Sequence, residues 1–178
     1  MNLTSPATVM TEMVKRLRAA VIPAGLSLAG EALFTEVQPF DLSDMAEALE
    51  KLLMVGDRVA VVVLESAPAT VTLSGTNLVT RISYDFAVMF ADRNLADRNE
   101  AMLGSATNPG ALNLVPAIIE ACSGDYGGPI CRAGGEPGRL LVLTGEDGTN
   151  NFDRVCYRQP FVVSGGQLRQ TVGRGAQF

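Results

Sequence analysis

From Ile82 to Phe90 every second residue is large and apolar. Ile82, Tyr84, Phe86, Val88 and Phe90 alternate with Arg81, Ser83, Asp85, Ala87 and Met89. Successive side chains of a strand point to opposite faces, so this period of two predicts a strand with one apolar and one wetter face. Full burial of five such side chains contributes roughly 1.5–3 kcal/mol each before chain entropy is set against it. The apolar face is therefore core, and anything specific is expected on the other face, with Arg81, Ser83 and Asp85.

Elsewhere the period changes. Val9, Met10, Met13, Val14 and Leu17 recur at steps of three and four, which predicts an amphipathic helix. Ser5 suits its N-cap, Pro6 its first turn, and Lys15, Arg16 and Arg18 its negative dipole end. Pro23 and Gly25 end it. "ALFTEVQPF" predicts a short strand ending at Pro39, and Asp41 caps a second predicted helix with Leu42, Met45, Ala46, Leu49, Leu52 and Leu53 inward. "RVAVVVLE", 58–65, is a continuous β-branched run that predicts a central strand.

The stretch 66–79, "SAPATVTLSGTNLV", reads equally as an extended hairpin arm or a loose loop. "PGALNLVPAIIEAC" predicts a third helix, with Pro109 at its start and Pro116 inside it, and 123–138 is a loop crowded with glycine and proline. Leu140–Thr144 and the alternating Val155, Tyr157, Gln159, Phe161 and Val163 predict a closing hairpin. Strands and helices in this order give an α+β fold: a mostly antiparallel sheet with helices packed on one side. The chain divides into a single domain, 1–165, and a C-terminal arm, 166–178. Leu168, Val172 and Phe178 are apolar anchors on that arm, and Arg169 and Arg174 are basic, without an acid between them. A disordered tail and a segment docked on a neighbouring subunit are the two readings of it.

Composition narrows the chemistry. The 178 residues fit one domain, and 47% hydrophobic against 19% charged suits a packed core. A net charge of −5 disfavours non-specific phosphate binding. Histidine is absent, which removes the commonest general base, the Ser-His and Cys-His nucleophile pairs and the commonest metal ligand. Cys122, Cys131 and Cys156 contain no CxxC pair and read as reduced core thiols, with a Cys122–Cys131 bridge as the alternative. The first residues lack a basic stretch followed by an apolar run, and no apolar run is long enough to span a membrane. The expectation is a soluble chain made in the cytosol.

Individual motifs are weak. "GGEPGR", 134–139, lacks the Lys-Ser/Thr of a phosphate loop and reads as a surface turn. "GEDGTNNFD", 145–153, is rich in oxygen ligands but out of EF-hand order, and suits a tight turn as well as calcium. Asp41, Asp44, Glu47 and Glu50 form an acidic helix face, either solvated or a channel lining. No cofactor is implied, and no spacing selects a catalytic carboxylate pair.

The succession "VMTEMVKRLRAAV", "FTEVQPF", "MVGDRVAVVVLES", "RISYDFAVMFADRN", "LNLVPAIIEAC" and "RVCYRQPFVV", across roughly residues 7–163, resembles the tail terminator, or tail-completion, proteins of long-tailed bacteriophages, including the Mu-like tail proteins. The stretches 66–79 and 123–138 are longer than a minimal core of that family. The resemblance implies a non-enzymatic virion component: a homo-oligomer, a ring of six subunits. Such a ring caps the tail tube protein, stops its polymerisation and meets the head–tail connector or neck protein. DNA would pass through it without specific binding, no membrane would be involved, and the protein would reside in the virion tail after assembly in the host cytoplasm. An acidic ring suits passing DNA, since like charge prevents adhesion. Subunit contacts are expected at 66–79, at Arg81, Ser83 and Asp85, and at Leu168, Arg169, Val172, Arg174 and Phe178. The alternatives are another virion part (tail tube, neck or minor tail protein), a small carboxylate-dependent enzyme, and an adaptor domain that pairs through a sheet edge.

Overall fold

The computed structural model describes residues 5–40, 58–74, 77–93, 102–140 and 154–171. Their centre is a curled, eight-stranded sheet, a half-barrel with two helices packed against it. The strands are β1 (Glu36–Phe40), β2 (Arg58–Ser66), β3 (Ala69–Ser74), β4 (Asn77–Arg93), β5 (Gly124–Asp125), β6 (Ile130–Ala133), β7 (Gly138–Leu140) and β8 (Arg154–Thr171). The main path runs β1-β2-β4-β8-β6-β5, with β3 added to β4 and β7 to β8. Only β1 and β2 pair in parallel; every other pairing is antiparallel. The α+β reading with a mostly antiparallel sheet is therefore the fold.

Helix α1 (Pro6–Ala19) starts as its sequence predicts: the Ser5 hydroxyl accepts the Ala7 N–H at 3.2 Å, and Pro6 opens the first turn. It buries Val9, Met13, Val14 and Leu17. Helix α2 (Ala111–Cys122) carries Pro116 inside and buries Leu114, Val115, Ile118 and Cys122. Both helices meet the sheet face formed by Val62, Tyr84, Phe86, Val88, Phe90, Tyr157, Phe161 and Val163, and together these make the larger core. The predicted second helix, and the acidic run on it, lie outside the described residues, as does the 145–153 turn.

Two sequence readings need correction. On the face of β4 opposite the large core Arg81 is exposed, and Ser83 and Asp85 are half-buried. Beyond them Ala87, Met89 and Ala91 are buried with Phe40, Val59, Val61, Val63 and Cys156 in a second core. Small and unbranched side chains on that face disguised its burial, because alternation shows contrast between faces and not what lies over each. The glycine-rich stretch 123–138 is also not all loop. It holds β5, β6 and the start of β7, and β6 and β7 both pair along the outer edge of β8. Gly124 and Gly127 adopt positive φ, at 119° and 81°, so the glycines serve the tight turns of this small hairpin.

The segment 66–79, left open by its sequence, is a hairpin. β3 lies along β4 from Ala69↔Ile82 to Ser74↔Asn77, while β8 lies along the other side of β4 as far as Asn77↔Thr171. Residues 69–74, 77–82 and 166–171 thus form a three-stranded arm continuous with the sheet. The first part of the 166–178 segment is the end of β8, and 172–178 lie outside the described residues.

Candidate interaction surface

The arm begins where both neighbours of β4 break register. On β2 the extra residue is Glu65, between Leu64↔Phe86 and Ser66↔Asp85. On β8 it is Gly165, between Ile82↔Gly166 and Ser83↔Ser164. Such bulges bend a strand and increase its twist, which suits the point where a covered sheet gives way to an arm. Of the three expected site residues on β4, two secure this root. The Ser83 N–H donates to the Pro68 carbonyl at 3.0 Å, and the Asp85 carboxylate accepts from the Ser66 hydroxyl. Both are half-buried, and only Arg81 is exposed.

Arg81 lies between Thr70 of β3 and Gln167 of β8, and Arg169 is the register partner of Val79 one step along. Leu168 stands opposite Thr80. Arg81 and Arg169 are therefore brought to adjacent strands, whereas Val172, Arg174 and Phe178 lie outside the described residues. These two arginines are the only charges in 66–82 and 164–171, so the rest of the chain carries a net charge of −7. β3 itself is exposed along its whole length, with Val71 56% and Leu73 72% accessible.

A second candidate is a cleft of about 570 Å³ between α1 and the 125–127 turn, lined by Thr8, Glu12, Arg16, Asp125 and Tyr126 among others. The Arg16 guanidinium lies 4.0 Å from the centre of the Tyr126 ring. It donates to the Asp125 carbonyl at 2.6 Å and the Ser123 carbonyl at 3.5 Å, and it pairs with Glu12 at 3.2 Å. Its donors are thus committed to holding the β5–β6 hairpin against α1. Below it Tyr126 donates its hydroxyl to the Cys122 carbonyl at 2.7 Å. Burial pushes the Cys131 thiol up to about 12 and raises Cys122 and Tyr126 further still. Thiols held protonated in this way are poor nucleophiles. All three cysteines are buried, and in this structure no disulfide joins Cys122 to Cys131.

Several buried groups are polar, and of these only Gln159 stood in a periodic pattern, the alternation 155–163. The fully buried Gln159 donates its amide to the Gly135 carbonyl at 2.9 Å, which ties the 134–137 turn to β8. Arg58, buried opposite Asp92, donates to Glu31 at 3.3 Å, and Asn108 both donates to Asp92 at 3.4 Å and accepts the Gly110 N–H at 2.8 Å. These groups knit loops to strand ends. Among the described residues no cluster of three or more His, Cys, Asp or Glu could hold a metal ion, and no helix is long and apolar enough to cross a membrane. No protein-family model and no curated protein matches the chain.

Proposed function

We propose that the protein is a non-enzymatic subunit of a long phage tail, of the terminator type: a ring-forming chain that caps the tail tube and offers a surface to the connector. The observation that carries this reading is the three-stranded arm. It stands off a sheet buried on both faces, its outer strand is exposed throughout, and its only charges are basic on an otherwise acidic chain. A cyclic ring needs a heterologous contact in which different patches of neighbouring copies meet. The basic face of the arm against the acidic body of the next copy supplies such a pair. An acidic ring also lets DNA pass without adhering.

The same arm favours a second reading as a tail tube subunit, since long hairpins are how rings stack without limit. Negative-stain electron microscopy of the purified protein, alone and with isolated tail tubes, separates the two. Closed rings, or one cap at one end of each tube, are expected. Continuous tubes of this protein alone would assign it to the tube, and particles that neither form rings nor touch tubes would overturn both readings.

A further inference from the structure

The outer edge of β3 is an unguarded pairing surface. Natural sheet edges are protected by charged side chains, proline or bulges, because an open row of N–H and C=O groups recruits other strands. β3 has none of these. From Ser66 to Thr80 there is no charged residue, and Pro68 lies just before the strand. The backbone register shows which groups are open. Ser83 donates to Pro68 across the hairpin, and in an antiparallel pair hydrogen-bonded positions alternate with non-bonded ones. Thr70, Thr72 and Ser74 therefore bond inward to Arg81, Val79 and Asn77, and Ala69, Val71 and Leu73 point their N–H and C=O outward.

We infer that this edge pairs with the same edge of a second copy, antiparallel and two-fold symmetric about Val71. Centring on Val71 brings all three outward-pointing residues into the ladder. It sets Val71 opposite its own mate, and Ala69 opposite Leu73 of the partner subunit. In an isologous contact each residue lies close to its own copy, so a charge near the axis would meet a like charge. The absence of charge along 66–80 removes that obstacle, and the nearest cations, on Arg81, stay one strand further out on each side. Pairing two arms also joins their apolar faces. Ala69, Val71 and Leu73 lie on the same face as Leu78, Thr80 and Ile82 of β4, the face that continues into Tyr84 and the large core. The result is a six-stranded sheet across the two-fold axis. It does not rest on the tail-terminator reading, which uses the face of the arm and not its edge.

Val71→Pro is the direct test, because it removes an outward N–H at a position that bonds nothing in its own hairpin, where an edge strand tolerates proline. Light scattering of the full chain should show the particle mass halved in Val71→Pro and unchanged in Val71→Thr, with thermal unfolding confirming that both fold. Single cysteine variants then fix the register. Val71→Cys should cross-link to its own copy under mild oxidation at least tenfold faster than Leu73→Cys, although Leu73 is the more exposed. A wild-type particle mass kept by Val71→Pro, a monomeric wild type, or faster cross-linking through Leu73→Cys would each overturn the pairing. Rings that survive Val71→Pro intact would leave the ring reading standing and remove this one. A dimer that becomes a monomer, with no ring at any concentration, would do the reverse.

Discussion

Arg158 of β8 reaches across the central strand β4 to Glu65, the residue at which β2 bulges out of register. It donates from Nε to Oε1 at 2.6 Å and from Nη2 to Oε2. The two-point geometry matches a planar guanidinium to a carboxylate, and this hydrogen bond raises the Arg158 pKa above its already high value. The pair clamps three strands together at the level where the two-sided core ends. Both side chains are partly exposed, so solvent screening limits its worth. Glu65→Gln and Arg158→Met should each lower stability, with a coupling of about 1 kcal/mol in a denaturant double-mutant cycle. Strictly additive effects would mean that the contact carries no energy.

Arg16 holds the β5–β6 hairpin by stacking and by two carbonyl contacts at once. A lysine can supply charge but not a planar fork. Arg16→Ala should speed amide exchange at 124–131 and cost about 1–2 kcal/mol, and Arg16→Lys should restore less than half of the loss. Full rescue by lysine would show that charge alone matters.

The raised thiols set an alkaline limit. Cys131 moves from 9.0 to about 12 because the folded chain buries it. Between those values the unfolded chain has released the proton and the folded chain retains it, so the unfolded state binds fewer protons and stability falls as pH rises. Cys122 and Tyr126 act in the same direction. Melting temperature should be flat below pH 8.5 and decline above about pH 9, with a slope of up to about 1.4 kcal/mol per pH unit from Cys131. Cys131→Ala should make it shallower, leaving the part due to Cys122 and Tyr126. At pH 8 roughly one Cys131 in ten thousand is thiolate, so a disulfide reagent should leave the native protein untouched and titrate three thiols only in denaturant. Rapid native reaction would contradict the buried cluster.

Arg81 is exposed, and its two cross-strand neighbours, Thr70 and Gln167, are uncharged. Reversing it should therefore leave the fold alone. Arg81→Glu should change unfolding free energy by less than about 0.5 kcal/mol while weakening ring assembly at least tenfold. Raising the salt concentration should weaken wild-type assembly in the same direction, since the proposed contact between arm and body pairs opposite charges. Assembly indifferent to both would remove the arginine face from the ring contact.

Local periodicity was enough to place most of the fold. The steps of three and four in 9–17 and the capping pair Ser5-Pro6 produce α1, the β-branched run 58–63 produces the central β2, and the alternation 82–90 produces the core face of β4. These follow from the sequence because the helix and strand periods and the wish to bury apolar surface act within a few residues. The stretch 66–79, with Pro68 and Gly75 among small polar residues, by contrast gave no preference between loop and strand, and 69–74 lies within it. It is a strand because β4 offers it an edge, and β4 has that edge only because β8 occupies the other one. The same holds at the two bulges, where Glu65 meets Arg158 from 93 residues away, and at Gln159, whose buried amide makes sense only beneath the Gly135 carbonyl. Gly110 shows the limit most sharply. At φ 79° a Cβ there would lie 2.2 Å from the Gly104 backbone nitrogen, a constraint set by a second segment that no pattern around residue 110 contains. Sequence determined the two described helices, the strands β2 and β4 and the larger core. Tertiary structure decided which polar groups are buried, where the sheet breaks register, and that an arm leaves it with the outer edge of β3 open, because each of these depends on what a distant strand places alongside.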